Sequence, residues 1–189
     1  MNLPGEVFAR IDALLERQGE VMIAIDGGSG TGKMTAAALI AERYGCSVVH
    51  MDDFFLPPEL RTPERYAEPG GNVHYERFEQ EVIAPLAQGE DFSYRIFDCA
   101  LCDYCGARDI RRGRLLIVEG AYCNHPRFGN VYDLRLFFTL PRDEQLSRIR
   151  ARGGEAAEQM FLERWIPLEE LYFAAFRIRE RGDIVIENL

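Results

Sequence analysis

Val21-Met22-Ile23-Ala24-Ile25-Asp26-Gly27-Gly28-Ser29-Gly30-Thr31-Gly32-Lys33-Met34-Thr35 is the stretch on which the reading of this chain turns. It opens with an unbroken apolar run, which suits a strand of a parallel sheet covered on both faces. Gly27, Gly28, Ser29, Gly30, Thr31 and Gly32 then leave little side chain in the way of the backbone, and residues 34–44 carry Ala36, Leu39 and Ile40 at helical spacing. Strand, glycine loop and helix form the context in which Gly-x4-Gly-Lys holds phosphate. Consecutive N–H groups turn inward around the anion, and the helix N-terminus adds its positive dipole. Lys33 is then placed to reach the outer phosphates. The plain alternative is a glycine-rich turn without a ligand, and a count weighs against it. Of the 22 basic residues, Lys33 is the only lysine. Arginine is a planar fork and lysine a compact point charge, so the two are not interchangeable at a tight phosphate site.

Working outward, the chain alternates strands and helices. Residues 5–18 place Val7, Ile11, Leu14 and Leu15 on one helical face. Residues 47–50 form a second short buried strand ending at Met51-Asp52-Asp53, and residues 54–72, rich in Pro and Gly, read as a functional loop. Residues 74–86 are helical, while residues 94–97 and 107–110 suit a small hairpin. Leu115-Leu116-Ile117-Val118 is a third buried strand, ending at Glu119-Gly120. A fourth strand over 134–140 leads into a helix from Pro141 to about Arg152, with Asp143 and Glu144 near the positive end of its dipole. Gly153-Gly154 breaks that helix, two further helical stretches flank Pro167, and residues 183–186 close as a fifth strand. This order predicts an α/β fold around a central, mostly parallel five-stranded sheet in one domain over 1–189.

Composition bounds the function. At 189 residues, with 47% hydrophobic and 28% charged residues, the chain is too apolar to stay disordered. A net charge of −9 argues against nucleic acid and membrane surfaces as partners. The longest aliphatic run, residues 36–41, is far short of a membrane span. Glu6, Asp12, Glu16 and Glu20 mark residues 1–20 as unlike a secretory leader. Five cysteines, an odd count, are expected as reduced thiols in a cytoplasmic protein.

The run from Ile23 to Lys33 resembles the P-loop of the uridine kinase and phosphoribulokinase group of small-molecule kinases. Met51-Asp52-Asp53-Phe54-Phe55 resembles that group's acidic segment after the second strand, and Val118-Glu119-Gly120 its Glu-Gly pair after the third. The tail from Tyr132-Asp133-Leu134 to Asp183-Ile184-Val185 is similar to bacterial uridine-kinase-like proteins, so the likeness spans nearly the whole chain. It implies a three-layer P-loop fold with a short lid at about 148–160 and an acceptor-side insertion at about 54–110 holding the hairpin. It also implies an ATP- and Mg²⁺-dependent kinase acting on a small hydroxylated substrate such as uridine, cytidine or a related alcohol, with room for a homo-oligomer.

Elementary chemistry supports the implied roles. Asp52, at the carboxyl end of a strand, sits where open α/β sheets bind ligands, and a kinase of alcohols needs a carboxylate there to take the hydroxyl proton. Asp53 is the alternative. Glu119, with Asp52, suits Mg²⁺, which takes oxygen ligands and keeps several waters. Arg148 and Arg152, four apart, share a helix face, and the resemblance makes them lid residues over the phosphates; pairing with Glu144 or Glu155 is the plainer reading. Gly153-Gly154 would be the hinge.

The resemblance places acceptor contacts in residues 54–72, at His74, Tyr75 and Arg77, and across 94–102, where Phe54, Phe55, Tyr66 and Phe97 offer stacking surfaces. Phe97 and Cys102 stand where nucleoside kinases of this group show Tyr and His, which leaves a phosphorylated sugar, a vitamin-like alcohol or another nucleoside open as acceptor. Cys99-x2-Cys102-x2-Cys105 has ligand-like spacing for Zn²⁺ or part of an iron–sulfur cluster, with Cys123 or His125 as a distant fourth ligand. Reduced thiols are the plainer reading. The loop departs from its motif once. Ser or Thr ordinarily follows the Lys and ligates Mg²⁺, whereas here Met34 follows and the hydroxyl comes at Thr35. A nucleotide-binding protein without transfer activity is therefore the rival from another class.

Overall fold

The computed structural model describes residues 3–188. Its centre is a five-stranded sheet in the order β2-β5-β1-β6-β7, with every pairing parallel. The strands are β1 (Val21–Gly27), β2 (Ser47–His50), β5 (Leu115–Glu119), β6 (Leu134–Thr139) and β7 (Ile184–Glu187). Side chains alternate across the sheet, so each strand feeds two cores. Ile23, Ile25, Leu115, Ile117, Leu134, Leu136 and Phe138 meet Val7, Ile11 and Leu14 of α1 (Gly5–Arg17) and Ala36, Ala37 and Ile40 of α2 (Lys33–Tyr44). On the other face Ala24, Leu116, Val118 and Phe137 pack with Phe54, Phe78, Tyr94 and with Tyr172 of α7 (Ile166–Phe176). Helix, sheet and helix make the expected three layers. Each fully buried side chain of this kind contributes about 1.5–3 kcal/mol, so both faces must be covered for the sheet to hold.

Register brings the strand ends together. Ile25 lies beside Glu119 in the β1–β5 pairing, and His50 lies beside Glu119 in the β2–β5 pairing. Asp26, Met51 and Gly120 therefore leave the sheet along one edge. At two points there only glycine fits. Gly27 has φ +138°, and a Cβ on it would lie 2.1 Å from the Phe138 carbonyl oxygen; Gly120 has φ +126°, and its Cβ would lie 2.8 Å from that of Met51. A side chain at either position would push the loop off the sheet.

The insertion is more ordered than its composition suggests. Residues 54–72 carry one tight helical turn (Pro58–Leu60) and α3 (Pro63–Ala67), whose N-cap Thr62 accepts the Arg65 N–H. α4 (Tyr75–Phe78) runs through one wide turn into α5 (Ala84–Gln88), covering the span expected as one helix. The hairpin is longer than expected, with β3 (Phe92–Asp98) antiparallel to β4 (Asp103–Ile110) across a bulge at Ile96/Phe97. Asp98 closes its tip by accepting the N–H groups of Ala100 and Leu101. α6 (Arg142–Met160) breaks where expected, but at one residue only: Gly154 has φ 76° and ψ −175° inside an otherwise helical run. Among the described residues no helix is long and apolar enough to cross a membrane.

Candidate active site

A cleft of about 640 Å³ opens along the carboxyl edge of the sheet. It is lined by the phosphate loop (Ser29, Gly30, Gly32, Lys33, Met34 and Thr35), by Asp52 and Glu119, and by Arg148 and Arg152 of α6, whose helix packs against the loop at Gly30. These residues run from Ser29 to Arg152 in sequence yet meet in one place.

The loop's shape is fixed from behind. The Lys33 ammonium and the Thr31 hydroxyl both donate to the Gly28 carbonyl, at 2.8 and 2.7 Å. Gln145 donates to the Ser29 carbonyl at 2.8 Å, and Asn188 to that of Thr31 at 2.7 Å. Glu169, buried on α7, accepts the Ser29 N–H at 3.0 Å and the Ser29 hydroxyl at 2.5 Å. Burial raises the Glu169 pKa, with the Lys33 charge and the Ser29 bonds opposing. Under the loop, Asp26 is fully buried; it accepts the Gly27 and Asn124 N–H groups and the Tyr172 hydroxyl at 2.7, 3.1 and 2.8 Å. Burial raises its pKa too, against those hydrogen bonds. Glu169, Gln145 and Asn188 were not legible as loop supports, because side chains that reach in from distant parts of the chain carry no local pattern. Asp26 had the one available signal, a carboxylate closing an otherwise apolar strand.

The two aspartates separate cleanly. Asp52 opens onto the cleft, and its pKa is raised by desolvation first, with Glu119 and Asp53 adding and Lys33 opposing. Asp53 turns away: its carboxylate accepts from the Tyr94 hydroxyl at 2.9 Å and from Arg108 at 3.2 Å. Glu119 is buried, and one of its oxygens lies 2.5 Å from Nδ1 of His50, so the other oxygen is left for the cleft. Met34 is 60% exposed and projects into the same space as Thr35. Tyr122, also in the cleft wall, holds φ 78°, a strained conformation for a side chain of its size.

Arg148 and Arg152 both face the cleft, as their spacing required. Arg148 is tied to Glu144 at 2.8 Å and to the Asn188 carbonyl at 3.0 Å, so the plainer pairing and the cleft position coexist. Arg150 pairs instead with Glu155 and Glu158.

The acceptor end corrects several expectations. Phe55 and Tyr66 line the cleft, but Phe54 and Phe97 are buried in the core, as is Tyr75, and none of Tyr75, His74 or Arg77 reaches the cleft. Arg77 is 1% exposed and joins the insertion together. It donates to Glu81 at 3.0 Å, to the Arg95 carbonyl at 2.6 Å and to the Asp53 carbonyl, and it lies over the Phe54 ring at 4.1 Å. Periodicity could not distinguish a buried arginine from a binding one. Cys99 alone of the cysteines lines the cleft; all five thiols are free, and among the described residues no three His, Cys, Asp or Glu groups converge to hold a metal. The thiol spacing was a property of the hairpin turn, which displays Cys99, Cys102 and Cys105 without gathering them.

No family model matches the chain. A Schizosaccharomyces pombe protein named as a candidate uridine kinase is 29% identical over 170 residues, covering 77% of this chain and 70% of its own length. The fold matches a solved candidate uridine kinase from Bacillus stearothermophilus, with a TM-score of 0.68 at 20% identity over 96% of this chain and 99% of that one. A solved candidate fructose transport system kinase from Silicibacter matches with a TM-score of 0.66 at 25% identity over 94% and 97% of the two chains. Fold and sequence point the same way: this chain is similar to the uridine-kinase-like P-loop kinases.

Proposed function

We propose that this protein transfers the γ-phosphoryl group of ATP to a hydroxyl of a small molecule, a nucleoside or related alcohol by the likeness above. The observation that carries the reading is the convergence in one cleft of Lys33, Asp52, Glu119, Arg148 and Arg152. The loop amides and Lys33 hold the phosphate chain. Asp52 orients the acceptor hydroxyl and takes its proton as the oxygen attacks the γ-phosphorus and the bond to the β-phosphate oxygen breaks. A raised pKa suits that task, since a base must not be so weak that it never accepts the proton. Arg148 and Arg152 face the charge that spreads over the transferring oxygens. Asp52 and Glu119 are hard oxygen donors that fit Mg²⁺, which when bound neutralises phosphate charge; Met34, a soft thioether, does not fit it. Gly154 is the point at which the arginine-bearing helix can swing. A reducing, cytoplasmic setting suits the free thiols.

Met34 favours one further reading, a protein that binds nucleotide and does not transfer. A thermal-shift and ADP-release screen with ATP and Mg²⁺ across nucleosides, sugar phosphates and vitamin precursors separates the two. Acceptor-dependent ADP release supports the kinase; ATP binding with silence across the whole panel supports the rival.

A further inference from the structure

Ser29 uses every polar group it has inside the protein and still lines the cleft. Its carbonyl accepts from Gln145, and its N–H and hydroxyl both donate to Glu169. Glu169 is 4% exposed and reaches the same cleft from α7. Among the described residues it is in no ion pair. Arg142 and Glu170, which line a small cavity with it behind the loop, pair with each other, and Arg179 of that cavity is in no ion pair either. A carboxylate buried in this way is costly unless it is paired or protonated. Glutamine would accept and donate at the same spot without that cost, so support of the loop alone does not explain the acid.

The charge around it is one-sided. Burial raises the pKa of Asp26 beneath the loop, of Asp52 and of Glu169, and in all three Lys33 pulls the other way. The chain's only lysine is thus shared among three carboxylates. Burial, and after it the Glu169 charge, also raises the pKa of Tyr122 in the cleft wall. A phosphate chain entering the loop adds negative charge and draws the ammonium to itself. Glu169 differs from Asp26 in how it meets such a change. Each oxygen of Asp26 accepts a backbone N–H, which cannot reverse. One oxygen of Glu169 takes the Ser29 N–H at 3.0 Å, but the other faces the Ser29 hydroxyl at 2.5 Å. A hydroxyl donates or accepts, so this contact survives protonation with its direction reversed.

We propose that Glu169 takes up a proton when the phosphates of a nucleotide enter the loop, and that Ser29 thereby becomes a hydrogen-bond donor to them. While Glu169 is ionised, the one hydroxyl proton of Ser29 is committed to it, and the cleft sees only lone pairs. A solvent proton added to the Glu169 oxygen is donated to Ser29 Oγ, and the Ser29 O–H turns to a phosphate oxygen. Glu169 is then a positioning residue that acts through Ser29. The step rests on the nucleotide-binding half of the kinase reading and needs no transfer.

Calorimetry on the whole protein tests it, with a non-hydrolysable ATP analogue and Mg²⁺ in excess so that the analogue's own phosphates stay ionised. Binding enthalpies in neutral buffers of different ionisation enthalpy count the protons taken up. The parent should gain up to one proton, and its affinity should fall as pH rises, by up to tenfold per pH unit. Glu169→Gln, a standing copy of the protonated side chain, should gain none and lose the pH slope. Ser29→Ala removes a bond that holds the carboxylate ionised, so uptake should shrink while the analogue binds more weakly. Binding by the parent without uptake overturns the proton step and leaves the kinase reading intact. So does uptake undiminished in Glu169→Gln or, should that variant not fold, in Ser29→Ala. Uptake without ADP release on any acceptor upholds the step and sinks the transfer reading instead. A parent that does not bind the analogue overturns both.

Discussion

The two ends of the cleft are built by different physics. At the phosphate end the backbone does the work: Gly27 lies against the Phe138 carbonyl where no Cβ fits, Gly32 turns at φ 94°, and α2 starts at Lys33. Side chains of Lys33, Gln145 and Asn188 then hold the carbonyls of Gly28, Ser29 and Thr31. At the acceptor end there is no such geometry, and side chains hold the backbone. Arg77 gathers the carbonyls of Asp53 and Arg95, Arg65 those of Gly71 and Val73, and Arg61 that of Leu56. A glycine loop tolerates almost no variation in sequence, whereas an arginine-stitched insertion can change its lining without changing its frame. One end is suited to a constant phosphate donor and the other to a variable acceptor.

The sharpest way to break the comparison is at Lys33. Lys33→Ala should abolish acceptor-dependent ADP release and weaken ATP binding, with the thermal transition kept, because the ammonium's bond to Gly28 is shared with Thr31. Near-normal turnover would mean that the phosphate end lies elsewhere.

Asp52 and Asp53, adjacent in sequence and opposite in environment, come next. Asp52→Asn should lower kcat by about 10²–10⁴ with nucleotide affinity little changed, as loss of a general base does. The sign of its effect on stability follows from its raised pKa. A carboxyl raised in the folded state lends stability that is complete below its unfolded pKa and is lost as pH rises through the folded value. At neutral pH the ionised group therefore costs stability, and Asp52→Asn should melt higher than the parent, with the gap closing in acid. The same raised pKa places the acid limb of kcat/KM above the usual carboxylate range. Asp53→Asn should do the reverse, losing the Tyr94 and Arg108 contacts and melting lower while kcat holds. An Asp53 variant with the catalytic defect would exchange the two assignments.

Much of the phosphate end could be read from the sequence because its signals are local: an apolar run, a glycine string and a helix, in contiguous order. Lys33, Asp52, Glu119, Arg148 and Arg152 all reach one cleft because each follows a strand or lies on a helix whose phase was readable. The acceptor end was read less well, for a definite reason. Arg77, Tyr75 and Phe97 look like ligand contacts as residue types, but their burial depends on contacts between segments far apart in sequence. Arg61 and Asn72 line the cleft from a stretch without any period. Arg77 tests this lesson directly. Arg77→Ala should cost about 3–5 kcal/mol, as breaking a buried charged pair does, and should loosen hairpin and insertion together in hydrogen exchange. A variant as stable as the parent but defective in acceptor KM would return Arg77 to the ligand.

The smallest expected effect is at the one place where the phosphate end departs from its motif. Met34 occupies the position whose hydroxyl ordinarily ligates Mg²⁺, and Thr35 lies about 100° further round α2. Both side chains reach the cleft, so the missing oxygen is not simply supplied by a neighbour in the same place. Asp52 and Glu119 remain as hard donors, and with waters and the nucleotide they give a weaker requirement met at higher Mg²⁺. Met34→Ser should then lower the Mg²⁺ concentration for half-maximal activity several-fold while leaving the maximal rate near that of the parent. Thr35→Val should change nucleotide KM more than the Mg²⁺ curve. Rate against Mg²⁺ for the parent and both variants decides the matter. An unmoved curve for Met34→Ser beside a collapsed one for Thr35→Val would show that Thr35 carries the metal after all, and that the first turn of α2 sits differently in the loaded enzyme.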